Sequence, residues 1–103
     1  MIALDTIAAE AIRRANRPAG ADPRHLAVAL GFELLPRAPH GLTQCTAGSV
    51  VAYRWSGNTA TRNRRVITAL AAALLVRTGE AFDHRDVRVL AHRLEVLRQR
   101  GDR

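Results

Sequence analysis

Apolar and polar side chains alternate with helical spacing at the start of the chain. A three-and-four repeat predicts one helix over residues 5–16, with a buried face made of Leu4, Ile7, Ala8, Ala11, Ile12 and Ala15. Asp5 or Thr6 is expected to cap this helix. A second helix is predicted after Asp22, because its carboxylate can accept free backbone N–H groups and Pro23 suits the first helical position.

The pattern changes to short strands after Gly31, which is expected to close the second helix in the left-handed conformation. Strand character appears in residues 32–35, 42–46 and 49–54. The last segment is the strongest because it is rich in β-branched and aromatic residues. Three short strands in succession predict a small antiparallel meander.

Two more helices are predicted in the second half of the chain. Residues 59–78 form a long helix that is apolar on nearly every side in its second half, which is typical of a helix buried in the middle of a fold. Asp83 and Asp86 resemble a capping box for a last helix that runs to about Gln99. We therefore expect a single α+β domain over residues 1–103: two N-terminal helices, a three-stranded sheet, a buried central helix and a C-terminal helix.

The composition is that of a folded intracellular protein. The chain has 103 residues, 48% of them hydrophobic and 24% charged, which fits one globular domain. Cys45 is the single cysteine, so no intrachain disulfide can form, as expected in a reducing cytosol. The N-terminus does not resemble a secretory signal, and the longest apolar stretch is shorter than the roughly 20 residues that cross a bilayer. A cytoplasmic location without membrane contact is expected.

The charge is strongly basic. The chain has sixteen positive side chains, all of them arginine, and nine carboxylates, for a net charge of +7. The arginine and alanine content suggests a GC-rich bacterial genome, while the positive field would attract acidic proteins or nucleic acid. The candidate interaction surface consists of Arg54, Trp55, Arg62, Arg64 and Arg65. Its arginines could contact phosphates while the indole stacks on bases; the alternative is that they only solvate the exposed start of a helix.

Part of the chain resembles the ImmA/IrrE family of zinc metallopeptidases. The matching stretches are Leu26 to Leu35, the strand segment 49–54, and Arg64-Arg65-Val66-Ile67-Thr68-Ala69. In that family the last stretch leads into a zinc helix with an H-E-x-x-H motif, whose histidines bind the metal while the glutamate activates water. The resemblance implies regulatory partners such as helix-turn-helix repressors, in bacterial stress responses or phage induction.

The catalytic motif of that family is missing here. Leu70 and Leu74 stand where the resemblance places the two zinc ligands, and Ala71 stands where it places the base. A further acidic ligand would map near Glu80, Asp83 or Asp86, but a lone carboxylate does not hold zinc. We therefore expect no enzymatic activity, no cofactor and no metal, and a regulatory module that binds a protein partner.

Other candidate chemistry is weak. His84 and His92 are two helical turns apart, too far to share one ion, and the other histidines, His25 and His40, have no sequence relation to them. No nucleophile motif frames Ser49, Ser56 or Cys45, and no glycine-rich phosphate loop occurs. Two alternatives remain open: a basic nucleic-acid-binding domain, and a homo-oligomer formed through the C-terminal helix, where Val89 and Val96 widen the apolar face.

Overall fold

The computed structural model describes residues 2–100, so both ends of the predicted domain 1–103 lie outside the described residues. Four helices and three strands follow one another along the chain. They are α1 (Leu4–Ala15), α2 (Pro23–Ala29), β1 (Glu33–Leu35), β2 (Gln44–Ala47), β3 (Val50–Tyr53), α3 (Thr59–Thr78) and α4 (His84–Arg100). The α+β class and the order of the elements agree with the sequence prediction.

The three-stranded sheet is mixed, so the predicted antiparallel meander is wrong. Its strand order is β1-β3-β2. Strand β3 pairs parallel with β1, with Leu34 opposite Val51, and antiparallel with β2, with Cys45 opposite Ala52. The central position falls to the strand whose residues are best buried, since Val51, Ala52 and Tyr53 are 0%, 5% and 3% exposed. The connecting segment 36–43 leads from β1 at one edge of the sheet to β2 at the other edge, and β3 pairs between them.

Helix α3 forms the centre of the fold, as its all-round apolar pattern predicted. It packs against β2 and β3 on one side, α4 on another, and α2. Val66, Leu70, Ala71, Ala73 and Leu75 are each completely buried. Gly79 ends the helix with a φ of 74°, a left-handed conformation that glycine adopts at little cost.

The predicted helix caps are confirmed at two helices and wrong at one. Asp22 Oδ1 accepts the Arg24 backbone N–H at 2.9 Å at the start of α2. At α4, the backbone N–H of Asp86 donates to Asp83 Oδ1 at 3.0 Å and that of Asp83 donates to Asp86 Oδ2 at 3.1 Å, a reciprocal capping box. Helix α1 instead starts after Ala3 without a side-chain cap, because Asp5 already lies inside its first turn.

The end of α4 is tied to the turn between α1 and α2. Arg98, only 8% exposed, donates from Nη1 to the Ala21 carbonyl at 2.8 Å and from Nε to Glu95 Oε2 at 2.9 Å. The Gly20 backbone N–H donates to the Arg98 carbonyl at 2.8 Å. These bonds fix the distance between α4 and the start of α2. Among residues 2–100, no helix combines the length and the apolar character needed to span a bilayer.

Candidate functional site

The connection between β3 and α3, residues 54–58, forms a corner that carries part of the predicted interaction surface. Asn58 caps α3 by accepting the Thr61 backbone N–H at 3.0 Å through Oδ1. The Asn58 backbone N–H in turn donates to Ser56 Oγ at 3.1 Å. Polar side chains thus hold a short segment in a defined turn, which orients Arg54 and Trp55 relative to the helix.

Arg65 fastens this corner from the side of α3. Its Nη1 donates to the backbone carbonyl of Arg54 at 3.0 Å. This carbonyl directly follows the last residue of β3, so the bond joins the strand end to the second turn of the helix. Arg65 is half-buried, whereas the side chain of Arg54 is exposed. Arg65 therefore has a structural role in the corner, and Arg54 is free to contact a partner.

Arg62 belongs to an internal network centred on the Asp22 carboxylate. Its Nη2 lies 3.3 Å from Asp22 Oδ2, and Arg24 Nη2 lies 2.8 Å from the same oxygen. The hydrogen bond from the Arg24 side chain, aided by the nearby charges, lowers the pKa of Asp22 to about 2 despite partial burial. The pKa of Arg24 is raised, mainly by that same hydrogen bond and also by Tyr53. The network joins α2 to the first turn of α3.

Trp55 lies over Arg62 and remains open to solvent. The Arg62 Cζ is 6.0 Å from the centroid of the indole ring, at the outer limit of a cation–π contact. The indole is 55% exposed, while the Arg62 side chain is only 14% exposed. The buried Nε of Arg62 has no hydrogen-bond partner in the described part of the chain. Arg62 therefore supports the ring from below, and the ring offers its outer surface.

Arg64 lies on the other side of α3, away from the corner. It lines a groove between the start of α3 and the end of α4, together with Ile67 and Ala91. Two positions along a helix correspond to a rotation of about 200°, which separates Arg64 from Arg62. The predicted interaction surface is therefore not one patch. Arg54 and Trp55 are exposed at the corner, Arg62 and Arg65 support it, and Arg64 faces the groove.

The three positions that the metallopeptidase resemblance assigns to the zinc ligands and the base do not line a common cavity. Leu70 and Ala71 are each 0% exposed and belong to the hydrophobic core. Leu74 is half-buried and lines a shallow pocket against α1 that also contains Glu10 and Arg14. At these positions α3 presents hydrocarbon to the other helices.

An open cleft lies instead between the edge strand β2, α3 and the start of α4. Its volume is about 370 Å³. On α3 it is lined by Thr68, Ala69 and Ala72, which lie on one helical face. Besides Thr68, polar side chains come from β2 and from the start of α4. The remaining lining residues are Gln44, Cys45, Phe82, Asp83, His84 and Val87.

The sequence prediction did not find this cleft. It found no nucleophile motif around Cys45 and no metal-binding partner for His84. In the fold both side chains line the cleft together with Asp83. Only the placement of β2 at the sheet edge beside α3 brings them together, although the small side chains at the i and i+4 positions Thr68 and Ala72 were a visible signal of a recess.

The remaining histidines are dispersed. His25 and His40 are exposed, and His92 lines the groove that contains Arg64. Within residues 2–100 no three side chains of the His, Cys, Asp and Glu types lie close enough together to hold a metal ion. The polar side chains of the cleft can donate and accept hydrogen bonds, and Cys45 adds a thiol.

Comparisons of the chain with known protein families, with curated proteins and with solved structures find no match.

Proposed function

We propose that this chain is a catalytically inactive, metallopeptidase-like module of a bacterial or phage regulatory system, which binds a partner protein in the cytoplasm. The observation that carries the proposal is the cleft between an edge strand and a core helix whose facing side chains bear no ligand. The partner class is a transcriptional regulator such as a helix-turn-helix repressor, as the resemblance to the ImmA/IrrE family suggests.

The position of the cleft supports this proposal and suggests a second register for the motif. A zinc-binding helix needs two ligands at i and i+4 on the face that opens to substrate, and a base directly after the first. In the cleft that spacing is occupied by Thr68, Ala69 and Ala72. The resemblance read along the sequence gives Leu70, Ala71 and Leu74, two residues further on. Both registers place hydrocarbon or a hydroxyl where imidazole and carboxylate are needed.

The exposed corner supplies the second part of the proposed binding surface. Trp55 combines a large apolar face with an indole N–H, and aromatic residues of this kind are enriched in protein interfaces. Arg54 lies beside it, and the net charge of +7 favours an acidic partner surface. Because Arg62 and Arg65 already hold the corner in place, little conformational entropy of the corner would be lost when a partner binds.

Two measurements test this proposal. The repressor encoded nearest to this protein should bind it and stay uncut, with affinity reduced at least about tenfold by Trp55→Ala together with Arg54→Glu. Arg37→Glu, an exposed change of the same charge in the segment 36–43, is the matched control. The purified protein should hold no stoichiometric zinc. One zinc per chain that is lost on substitution of Asp83 or His84 would overturn the proposal, as would cleavage of the repressor.

A gain-of-function pair tests the alignment of the cleft. The double substitution Thr68→His and Ala72→His should create a zinc site with Asp83 or His84 as a third ligand, because the two new imidazoles would lie one helical turn apart in the open cleft. Leu70→His with Leu74→His is the matched pair, and we expect it to destabilise the fold without binding zinc. Isothermal titration calorimetry with ZnCl₂ measures the zinc affinity of each pair and so distinguishes the two registers. Tighter zinc binding by the second pair would restore the original alignment.

A second candidate function is nucleic-acid binding, favoured by one observation. Two exposed arginines, Arg54 and Arg64, and the exposed Trp55 ring occur within a short part of a strongly basic chain. In that case the protein should bind a duplex or a single-stranded oligonucleotide with an affinity that falls steeply between 50 and 200 mM salt. Absence of binding at the lower salt concentration would eliminate this alternative.

A further inference from the structure

The groove that contains Arg64 is a larger concave surface than the cleft beside β2. It has a volume of about 690 Å³ and runs between the first half of α3 and the second half of α4. Small side chains shape its floor: Ala60, Thr68 and Ala91 line it beside the buried Ile67. Small side chains on two packed helices leave room between them for the side chains of a third helix.

The positive side chains near the groove include arginines without an ion pair among the described residues, whereas its carboxylate is paired. Arg64 is exposed, and within residues 2–100 no carboxylate lies within ion-pair distance of it. Arg88, one turn before His92 on α4, is also exposed and lacks an ion pair in the same range. Glu95, the one carboxylate that lines the groove within the described part of the chain, is hydrogen-bonded by the side chains of Arg98 and Gln99.

The paired state of Glu95 matters for what the groove can bind. The hydrogen bonds from Arg98 lower the pKa of Glu95, and its charge is balanced by a buried guanidinium. Glu95 therefore does little to repel an anion, while Arg64 lines the groove without an ion pair in the range 2–100 and Arg88 lies on α4 just before the residues that line it. The groove has an apolar floor and a positively charged rim.

From this combination we propose that the groove is a docking site for an acidic amphipathic helix of a partner protein. Apolar side chains at i, i+3, i+4 and i+7 would fill the space over Ile67 and Ala91. Flanking glutamates or aspartates would reach Arg64 in the groove and Arg88 one helical turn before His92 on α4. Helix-in-groove recognition of this kind uses the same anchor spacing in other proteins. The inference goes beyond the proposed function, since it does not depend on the metallopeptidase resemblance.

The groove and the adjoining cleft are together long enough for several turns of a partner helix. Thr68 lines both the groove and the cleft, so the two recesses adjoin along one face of α3. From Thr59 in the groove to Ala72 in the cleft, α3 rises about 20 Å at 1.5 Å per residue. A helix of about 14 residues spans that distance. A partner could therefore occupy both recesses with one continuous segment.

The test uses a pair of synthetic peptides and the full chain. Both peptides carry the same leucine face at helical spacing; one has glutamate on its flanks and the other has lysine. Fluorescence anisotropy should show that only the glutamate peptide binds, and amide chemical shifts should change at Ala60, Ile67 and Ala91. Arg64→Glu should weaken binding by roughly tenfold, whereas the control Arg37→Glu should change it less than about twofold.

A steric variant separates docking in the groove from attraction by net charge. Ala91→Arg adds a positive charge but fills the groove, so docking predicts loss of binding and simple attraction predicts a gain. Ala60→Arg, at an exposed position of the same groove, repeats the test if the first variant unfolds. Equal binding of both peptides, or tighter binding by both arginine variants, would overturn the proposal. The proposal would also be overturned if duplex DNA alone changed the chemical shifts of these residues. A dimer detected by sedimentation would overturn it as well if its interface covered the groove.

Discussion

Asp22 is the residue whose removal should reveal most about the stability of this fold. Its carboxylate performs two tasks at once. Oδ1 caps α2 through the Arg24 backbone N–H, and Oδ2 receives the guanidinium groups of Arg24 and Arg62 at 2.8 and 3.3 Å. Asp22→Asn keeps the shape and a capping oxygen but removes the charge. Asp22→Ala removes both, so the two variants separate the tasks.

The magnitudes follow from the contacts. A pKa of about 2 against an ordinary value of 3.8 corresponds to about 2 kcal/mol at neutral pH, and partial solvent screening reduces this to about 1–2 kcal/mol. Loss of an N-cap costs about 1 kcal/mol. We therefore expect Asp22→Asn to lower the free energy of unfolding by about 1–2 kcal/mol and Asp22→Ala by about 2–3 kcal/mol. Arg62, mostly buried, is left without its carboxylate in both variants.

The pH dependence provides an independent check, and its sign is fixed by the direction of the shift. The pKa of Asp22 is lower in the folded state than in the unfolded chain, so its contribution is complete above about pH 4. The contribution is lost as the pH falls from about 4 toward 2, where the folded carboxylate becomes protonated. Urea unfolding followed by circular dichroism at pH 7, 4 and 2.5 measures this loss, and the difference between wild type and Asp22→Asn should shrink across that range.

Asp5→Asn is the matched control. Asp5 also pairs with an arginine, Arg93, at 2.9 Å, but its side chain is 79% exposed. We expect a loss below about 0.5 kcal/mol. The reasoning fails if Asp22→Asn costs no more than this control, or if the difference between wild type and Asp22→Asn is the same at pH 7 and pH 2.5.

Three further predictions concern other parts of the fold. Leu70→Ala should lower the free energy of unfolding by about 2–5 kcal/mol in urea titrations, because a completely buried side chain is removed from α3; a loss below 1 kcal/mol would contradict its place in the core. Arg98→Ala should cost about 2–3 kcal/mol, because it removes the side-chain hydrogen bond to the Ala21 carbonyl. Without that bond the turn is held less firmly, so amide hydrogen exchange should increase at Gly20, whose N–H donates to the backbone carbonyl of residue 98; the exposed Arg100→Ala should do neither. Asp83→Ala breaks the capping box of α4 and should cost about 1 kcal/mol, with faster exchange confined to the first turn of α4 as the expected signature.

Local signals in the sequence predicted most of the secondary structure. The start of α2 follows from Asp22 and Pro23, and the end of α3 follows from Gly79, because each depends on the chemistry of one or two residues. The boundaries predicted for the long helix, 59–78, agree with the structure for the same reason. The start of α1 has no such signal, and there the predicted cap was wrong.

The candidate site was only partly visible in the sequence. Arg54, Trp55, Arg62, Arg64 and Arg65 are close together along the chain, and that proximity suggested one surface. A helix turns by about 100° per residue, so neighbours in sequence point in different directions. Whether an arginine is free or engaged depends on distant partners such as Asp22, forty positions from Arg62.

By itself, the sequence determined which helices and strands form, the caps of α2 and α4, and which helix is central. Tertiary structure alone decided the order β1-β3-β2, the cleft beside Thr68 and Ala72, and the groove over Ile67. The physical reason is that caps and periodicity arise from interactions within a few residues, whereas strand order and recesses depend on how the burial of every element is satisfied at the same time. The strand with the best-buried side chains takes the centre of the sheet, and the concave sites form where the remaining elements do not close over α3.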